Sequence, residues 1–478
     1  MSFRAKYVIA SCPDHEKRLI VSIRKTSRDR DLLTDSPPEI CYHETCMSKD
    51  TGAFNCIYQI MVNFFRQGRE VTEEVSFRDG NMNHVNGDLL GVIQDLDRIK
   101  DLGFDSIYLS PIFRSNSSHG YDVIDYFSIA SHLGTMQDFK LLVDEVQKRS
   151  MKLMLDVVLN HVSKDFDLST IPREYNPKFE SPKTREERDW AKHFSFWDND
   201  DSETRRFLTD VCKFWIDRGV SGLRMDYVRG ASRDFWRYVY EELKSHDEDV
   251  FILGESWNDR GDDLENLKEI DSYSFYEGQR LFDSLLDFPL FYRLTELNRE
   301  DAAGSIGKLL TLAHEGSGIR TTRFLDNHDL PRIVDMLQGD LNTLRLGLAL
   351  IYVLSGHVMV LYGTEIPLES VFFGGRLCSR VPMRFEEATD IAGYVQALGS
   401  LRKNNHALCA GDFEMVRIEK DLLVFRKTLG DESFIITLNT SYAREFESPY
   451  DGRVIFRSNG SDSSSTVNPR VLLVQKEY

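Results

Sequence analysis

From Cys56 onward the sequence alternates short apolar runs with amphipathic stretches of helical length, the pattern of strands that return parallel through crossover helices. The runs are Cys56–Val62, Ser106–Leu109, Lys152–Val158, Gly222–Met225, Phe251–Gly254, Ser284–Leu286, Thr321–Leu325 and Val358–Tyr362. Helical spacing falls between them over Val92–Leu102, Phe139–Arg149, Arg205–Asp217, Arg233–Lys244, Ala302–His314 and Leu341–Leu354. Eight parallel strands with intervening helices predict an α/β fold, the (β/α)8 or TIM barrel.

The spacing divides the chain further. A barrel of about 250 residues allots roughly 31 to each unit, and Glu255 follows Asp226 by 29 (255 − 226). Asp226 follows Asp156 by 70 (226 − 156), so the third unit carries an insertion. We expect an N-terminal appendage at 1–52, with possible strands at Lys6–Ala10 and Leu19–Ile23, and a catalytic barrel at 53–161 and 202–406. The insertion occupies 162–201, rich in Pro, Asn, Asp and charged residues, and an all-β sandwich of alternating runs occupies 407–478.

With 59 basic against 77 acidic residues the chain carries a formal charge of −18, which repels phosphate backbones and argues against nucleic-acid binding. A neutral, sugar-like substrate fits better. Seven cysteines without CxxC spacing indicate neither a zinc site nor a complete disulfide framework. The N-terminal stretch lacks the apolar core of a secretion signal, and no window is long enough to span a bilayer. We therefore expect a cytoplasmic protein, no membrane partner, and surface positions without a glycan for the sequons at Asn116, Asn439 and Asn459.

Four strands end in polar groups that a purely structural chain does not need. KLMLDVVLNHV delivers Asp156, Asn160 and His161, and GLRMD delivers Arg224 and Asp226. FILGESW delivers Glu255, and TTRFLDNHD delivers Asn327, His328 and Asp329. An Arg two residues before an Asp on a strand faces the same side, so each can hold the other's charge. An ordinary buried ion pair would look the same locally, but in a barrel all four ends meet at one rim, where active sites of this fold lie. Carboxylates gathered there repel one another, so one can stay protonated while another ionises, the pattern used in glycoside hydrolysis.

These four segments, DVVLNH, GLRMD, GES and FLDNHD, resemble the hallmark segments of the α-amylase superfamily, glycoside hydrolase family 13, in the family's order. GVIQDLDRIKDLGFDSIYLSPIF, HGYDVIDYFSIASHLGT, LLDFPL, VLYGTEI and SRVPMRF support the resemblance. It implies Asp226 as nucleophile, Glu255 as general acid and base, and Asp329 as the residue gripping the distorted sugar. It further implies that Arg224 orients Asp226, that His161 and His328 bond sugar hydroxyls, and that Tyr121 offers an aromatic face with His119 and Asp122 beside it. The implied reaction cleaves α-glucosidic bonds in malto-oligosaccharides, cyclodextrins or related α-glucans through a covalent glycosyl-enzyme. An α-glucosidase, a glucanotransferase and a non-catalytic binding subunit on the same fold are the alternatives.

The pattern departs from the family at two places. Tyr227, Val228, Arg229 and Gly230 stand where many members carry a small residue and then Lys and His that contact the sugar beyond the scissile bond. Asn63 stands in YQIMVNFF where an Asp is usual, and Asn160 can hydrogen-bond locally as readily as it binds calcium, so no metal or other cofactor is expected. The acidic run Asp198–Ser202 lacks EF-hand spacing and reads as a helix cap.

Overall fold

Each of the eight apolar runs forms a strand in the computed structural model, which describes residues 54–70, 77, 84–258, 263–315, 320–387, 389–450, 452–460 and 465–477. The appendage expected at 1–52 lies outside these residues. The strands are β1 Cys56–Ile60, β2 Ser106–Leu109, β3 Lys152–Val157, β4 Gly222–Met225, β5 Phe251–Gly254, β6 Ser284–Leu286, β7 Thr321–Arg323 and β8 His357–Leu361. They pair in parallel in chain order, and β8 pairs with β1 to close the barrel.

The helices that follow the strands are α1 Leu89–Asp101, α2 Met136–Lys148, α3 Ser202–Ile216, α4 Arg233–His246, α5 Asp263–Ser274, α6 Ala302–Glu315, α7 Leu341–Val353 and, after β8, α8 Asp390–Asn404. The first three begin three residues before the expected starts, at polar caps that supply acceptors for the first turn. Asp88 accepts the Gly91 N–H, Thr135 and Asp138 form a reciprocal capping box, and Asp201 accepts the Thr204 N–H. Asp201 is thus the helix cap expected within the run Asp198–Ser202.

Alternate strand residues face the barrel interior. Phe54, Ile57, Tyr108, Met154, Phe251, Leu253, Leu286, Phe324 and Met359 fill it with apolar side chains. Phe54 plugs the N-terminal end, and Gly222 makes room for it: a Cβ there would lie 2.6 Å from Phe54 Cζ. Two residues up from Met154 and Leu253 the same face carries Asp156 and Glu255, so the polar layer sits on an apolar floor at the C-terminal rim.

The insertion after β3 folds into a three-stranded antiparallel sheet, His161–Ser163 against Phe194–Trp197 against Phe179–Glu180, with a short helix at Arg185–Trp190. The sheet begins at His161 itself. C-terminal to the barrel, a five-stranded antiparallel sheet runs in the order Asp412–Ile418, Leu422–Leu429, Glu432–Asn439, Val471–Lys476, Arg453–Arg457, beside a two-stranded ribbon of Phe446–Glu447 and Thr466–Val467. Asn439 is not the surface sequon expected of it. It is buried, and its amide donates to the carbonyls of Arg444, Val467 and Asn468 to close the turn after its strand. Among the described residues no helix is long and apolar enough to cross a membrane.

Candidate active site

One guanidinium organises the rim. Arg224, 1% exposed, stands on β4 opposite Asp156 of β3 in the strand register. Its Nη1 donates to Asp156 Oδ1 at 2.8 Å and Oδ2 at 3.0 Å, and to Asp226 Oδ1 at 2.7 Å. Its Nη2 lies 2.5 Å from Glu255 Oε1. Asp226 and Glu255 each follow the last residue of their strands, and Met225 pairs with Gly254, so the two carboxyls leave the sheet at the same height. The Arg–Asp pair read from the sequence is therefore real, but Arg224 serves three carboxyls and not Asp226 alone.

That sharing sets the protonation. Burial, with Glu255, Asp156 and Asp329 adding to it, pushes the Asp226 carboxyl well above the usual carboxylate range, against the pull of Arg224. Arg224 alone therefore does not keep Asp226 ionised, as the sequence led us to expect. Burial also raises Glu255, with Arg224 opposing and Asp329 adding to the rise. Two such neighbours titrate as a pair. Arg224 Nη1 donates to Asp226 Oδ1 at 2.7 Å, while Glu255 has Arg224 Nη2 2.5 Å from its Oε1 and accepts the Tyr227 N–H at 3.3 Å on Oε2, so the two raised carboxyls share one guanidinium and titrate together.

Asp329 moves the other way. Burial opposes its charge, but His328 and the Arg380 guanidinium outweigh burial and hold it well below the usual range. Arg380 Nη2 donates to Asp329 Oδ1 at 2.8 Å while its Nε donates to the His328 carbonyl, and His328 Nε2 lies 2.9 Å from Asp329 Oδ2. Asn327 Oδ1 accepts the Asp329 N–H at 2.9 Å.

The remaining expected residues form the walls. The Tyr121 hydroxyl donates to Asp156 Oδ2 at 2.7 Å and lies 2.5 Å from His328 Nε2, with the two rings parallel. The Gln59 amide reaches His328 Nδ1 at 2.8 Å, which puts the ring proton on Nε2, toward Tyr121 and Asp329. His119 Nδ1 accepts the Tyr121 N–H, and Asp122 accepts from the Ser117 hydroxyl. Asp122 thus shapes the loop that carries His119 and Tyr121. His161 is buried against Phe194, Trp190 and Phe196, which lowers its pKa to about 3 and keeps it neutral. Its Nδ1 has no hydrogen-bond partner among the described residues, an open polar atom in an aromatic wall.

Three members of this site were not singled out in the sequence. Tyr108 donates to Asp156 from inside the barrel, Gln59 fixes the His328 tautomer, and Arg380 clamps Asp329. Each lay within a quoted segment, Arg380 in SRVPMRF, Tyr108 in GVIQDLDRIKDLGFDSIYLSPIF and Gln59 in YQIMVNFF, but nothing in those segments marked the residue itself. At the candidate calcium positions the Asn160 amide donates to Glu187 Oε1 and the Asn63 amide to the Ser118 carbonyl, while the buried Asn63 Oδ1 has no hydrogen-bond partner among the described residues. Among the described residues no group of three or more His, Cys, Asp or Glu could hold a metal ion.

The comparisons agree with this geometry. The description of the alpha amylase catalytic domain matches residues 74–203 and 196–377. A cyclomaltodextrinase of Geobacillus thermopakistaniensis is 29% identical over 396 residues, 77% of this chain and 64% of the relative. An intracellular maltogenic amylase of Bacillus subtilis is 26% identical over 423 residues, 80% of this chain and 68% of the relative. This chain therefore spans about two thirds of the length of these relatives. The crystal structure of an alpha-amylase from Geobacillus thermoleovorans complexed with acarbose superimposes with a TM-score of 0.74 at 26% identity, covering 88% of this chain and 98% of that one. A rim built from the four motif segments on a closed parallel barrel, matched by the catalytic-domain description over most of the chain, places the protein in the alpha-amylase family of glycoside hydrolases.

Proposed function

We propose that the chain is a retaining glycoside hydrolase that cleaves α-glucosidic bonds in malto-oligosaccharides, cyclodextrins or related α-glucans. The observation that carries this reading is the single guanidinium joining Asp226 and Glu255. One bridge across both carboxyls fits the roughly 5–5.5 Å separation of a retaining pair better than the roughly 6.5–9.5 Å of an inverting one.

In the first step Asp226 attacks the anomeric carbon. A bond forms from its carboxylate to C1, the C1–O bond to the leaving sugar breaks, and Glu255 gives its proton to that oxygen. Glu255, now ionised, then takes a proton from water as the water oxygen attacks C1 and releases Asp226. Asp226 ionises fully when Glu255 carries the pair's proton, so the raised acid also readies the nucleophile. Asp329, Arg380 and His328 sit where charge builds on the oxocarbenium-like sugar, and His161, His119, Tyr121 and Asp122 line the pocket around its hydroxyls.

The relatives' names, cyclomaltodextrinase and intracellular maltogenic amylase, support the substrate class and a cytoplasmic location. The described cysteines, Cys56, Cys212, Cys378 and Cys409, are free, which suits a reducing compartment. We read the chain as a barrel of 53–161 and 202–406, an inserted region at 162–201 and a C-terminal β domain at 407–478.

Incubation with maltoheptaose and β-cyclodextrin tests the reading. Release of reducing sugar by the wild type and none by Asp226→Asn supports it. Equal release by both, or none by the wild type, rejects it. The lengths of the products then separate a hydrolase of long chains from an α-glucosidase or a glucanotransferase.

A further inference from the structure

Tyr227, directly after Asp226, has a backbone that a large side chain rarely adopts, with φ 45° and ψ 58° in the left-handed region. The turn it makes has two consequences at the acid. The Tyr227 N–H donates to Glu255 Oε2 at 3.3 Å, and the next N–H, of Val228, donates to the Glu255 carbonyl at 3.0 Å. Since Arg224 occupies Oε1, Oε2 is the oxygen left to carry the proton, and the Tyr227 N–H is the donor that orients it.

The side chain explains how that conformation is held. The Tyr227 hydroxyl lies 2.9 Å from Thr184 Oγ1, and its ring packs edge-on against Trp190 with centroids 4.9 Å apart. Both partners belong to the inserted region. Thr184 caps the helix Arg185–Trp190 through Glu187, which in turn accepts from Asn160 at the end of β3. Behind Tyr227 the chain runs so close to Asn160 that a Cβ on Gly230 would lie 2.2 Å from Asn160 Oδ1, so the turn packs directly on that side chain. A continuous path of bonded and packed groups thus joins the proton-bearing carboxyl to the inserted sheet and helix.

We infer that Tyr227 is the positioning residue of the acid: its left-handed backbone aims Glu255 Oε2, and its phenol ties that aim to the seating of the inserted region. The inference rests on the hydrolase reading above. Tyr227 touches no reacting atom and works through Glu255. Its loss therefore harms cleavage in proportion to how much the departing group needs a proton.

Two substrates and two variants test this. Maltoheptaose has a sugar alkoxide as leaving group and needs the acid, whereas α-maltosyl fluoride expels fluoride and needs it far less. Tyr227→Gly frees the backbone and removes both ties. It is expected to lose about 100-fold in kcat on maltoheptaose and less than about 5-fold on the fluoride, since a positioned acid is worth about 10²–10⁴-fold. The alkaline limb of its kcat profile moves to higher pH, because the Glu255 carboxylate loses an N–H donor that favours the charged form. Tyr227→Phe keeps the ring against Trp190 and the fold with it, and is expected to lose about 10-fold on maltoheptaose with the fluoride nearly unchanged. Equal losses on both substrates, or no loss in either variant, overturn the inference while leaving the hydrolase reading intact. A wild-type protein inert on both substrates overturns the hydrolase reading and the inference together.

Discussion

At the C-terminal ends of the strands Arg224 is ringed by carboxyls, while at the N-terminal ends two other buried cations are ringed by neutral oxygens. Arg402 of α8 donates to the carbonyls of Tyr352, Leu354 and Gly356, just before β8. Lys427 donates to the Gly411 carbonyl and the Ser355 hydroxyl. Both ends bury charge, and both satisfy most of its hydrogen bonds. The carbonyls around Arg402 do not titrate near neutral pH, so its partners keep one charge state. Carboxyls do titrate, so the upper set can store one proton and move it. The difference separates burial that holds a fold from burial that readies a reaction.

The largest effect expected from breaking this contrast is at Asp226. Asp226→Asn removes the nucleophile and is expected to cut kcat by about 10⁴-fold or more. Its melting temperature should hold or rise, since the site loses one repelling carboxylate. Turnover and a thermal melt on the same preparation check both halves.

Arg224→Met comes next. It leaves Asp156, Asp226 and Glu255 without their shared cation and should destabilise by about 3–5 kcal/mol near pH 7. The loss should shrink toward acid pH. The folded carboxyls then have raised pKa values and bind more protons than the unfolded chain, so stability falls as pH rises through that range. Arg402→Met, which strands three carbonyls, is expected to cost about 2–4 kcal/mol with a weaker trend of the same sign, since Arg402 faces three carbonyls directly and reaches Lys427 and Asp105 only through space. Urea unfolding of both variants at several pH values sharpens or breaks the distinction.

Arg380→Met should lower kcat/KM by about 100-fold through loss of a charge-assisted bond to Asp329. Asp329 is held low by His328 and Arg380 against burial, so losing Arg380 raises its pKa and moves the acid limb of the pH profile to higher pH.

The smallest effect concerns Lys427. Burial, with Arg323 and Arg402 adding to it, brings its ammonium down to about 7. A depressed lysine destabilises the fold fully below its folded pKa, and the penalty fades as pH rises toward the unfolded value of about 10.4. The wild type should therefore gain up to about 1 kcal/mol per pH unit above pH 7 from this group. Lys427→Met should flatten that slope in melts between pH 7 and 9.

What the sequence disclosed follows the same division between local and distant. Strand ends such as Asp156, Asp226, Glu255 and Asp329 were legible because each follows an apolar run, and the barrel brings all such ends to one rim. Helix starts at Leu89, Met136 and Ser202 were missed by one turn, because the start is set by the caps Asp88, Thr135 and Asp201 and not by the apolar spacing alone. Tyr108 and Gln59 escaped notice because a polar tip on an inward strand residue looks like any core position until the barrel closes. Arg380 lies 51 residues beyond Asp329, past a hairpin, so no spacing rule links them. Tyr227 was visible as a departure from the family pattern, but its left-handed backbone and its bond to Thr184 were not.

The central claim is that Asp226 forms a bond to sugar while Glu255 supplies and recovers the proton. Trapping with a 5-fluoro-α-glucosyl fluoride, followed by peptide mass analysis, tests it most directly. The account predicts one added fluoroglucosyl mass per chain, on the peptide carrying Asp226, and none in Asp226→Asn. An adduct on any other residue, or turnover of maltoheptaose giving a first product of inverted anomeric configuration, would contradict it.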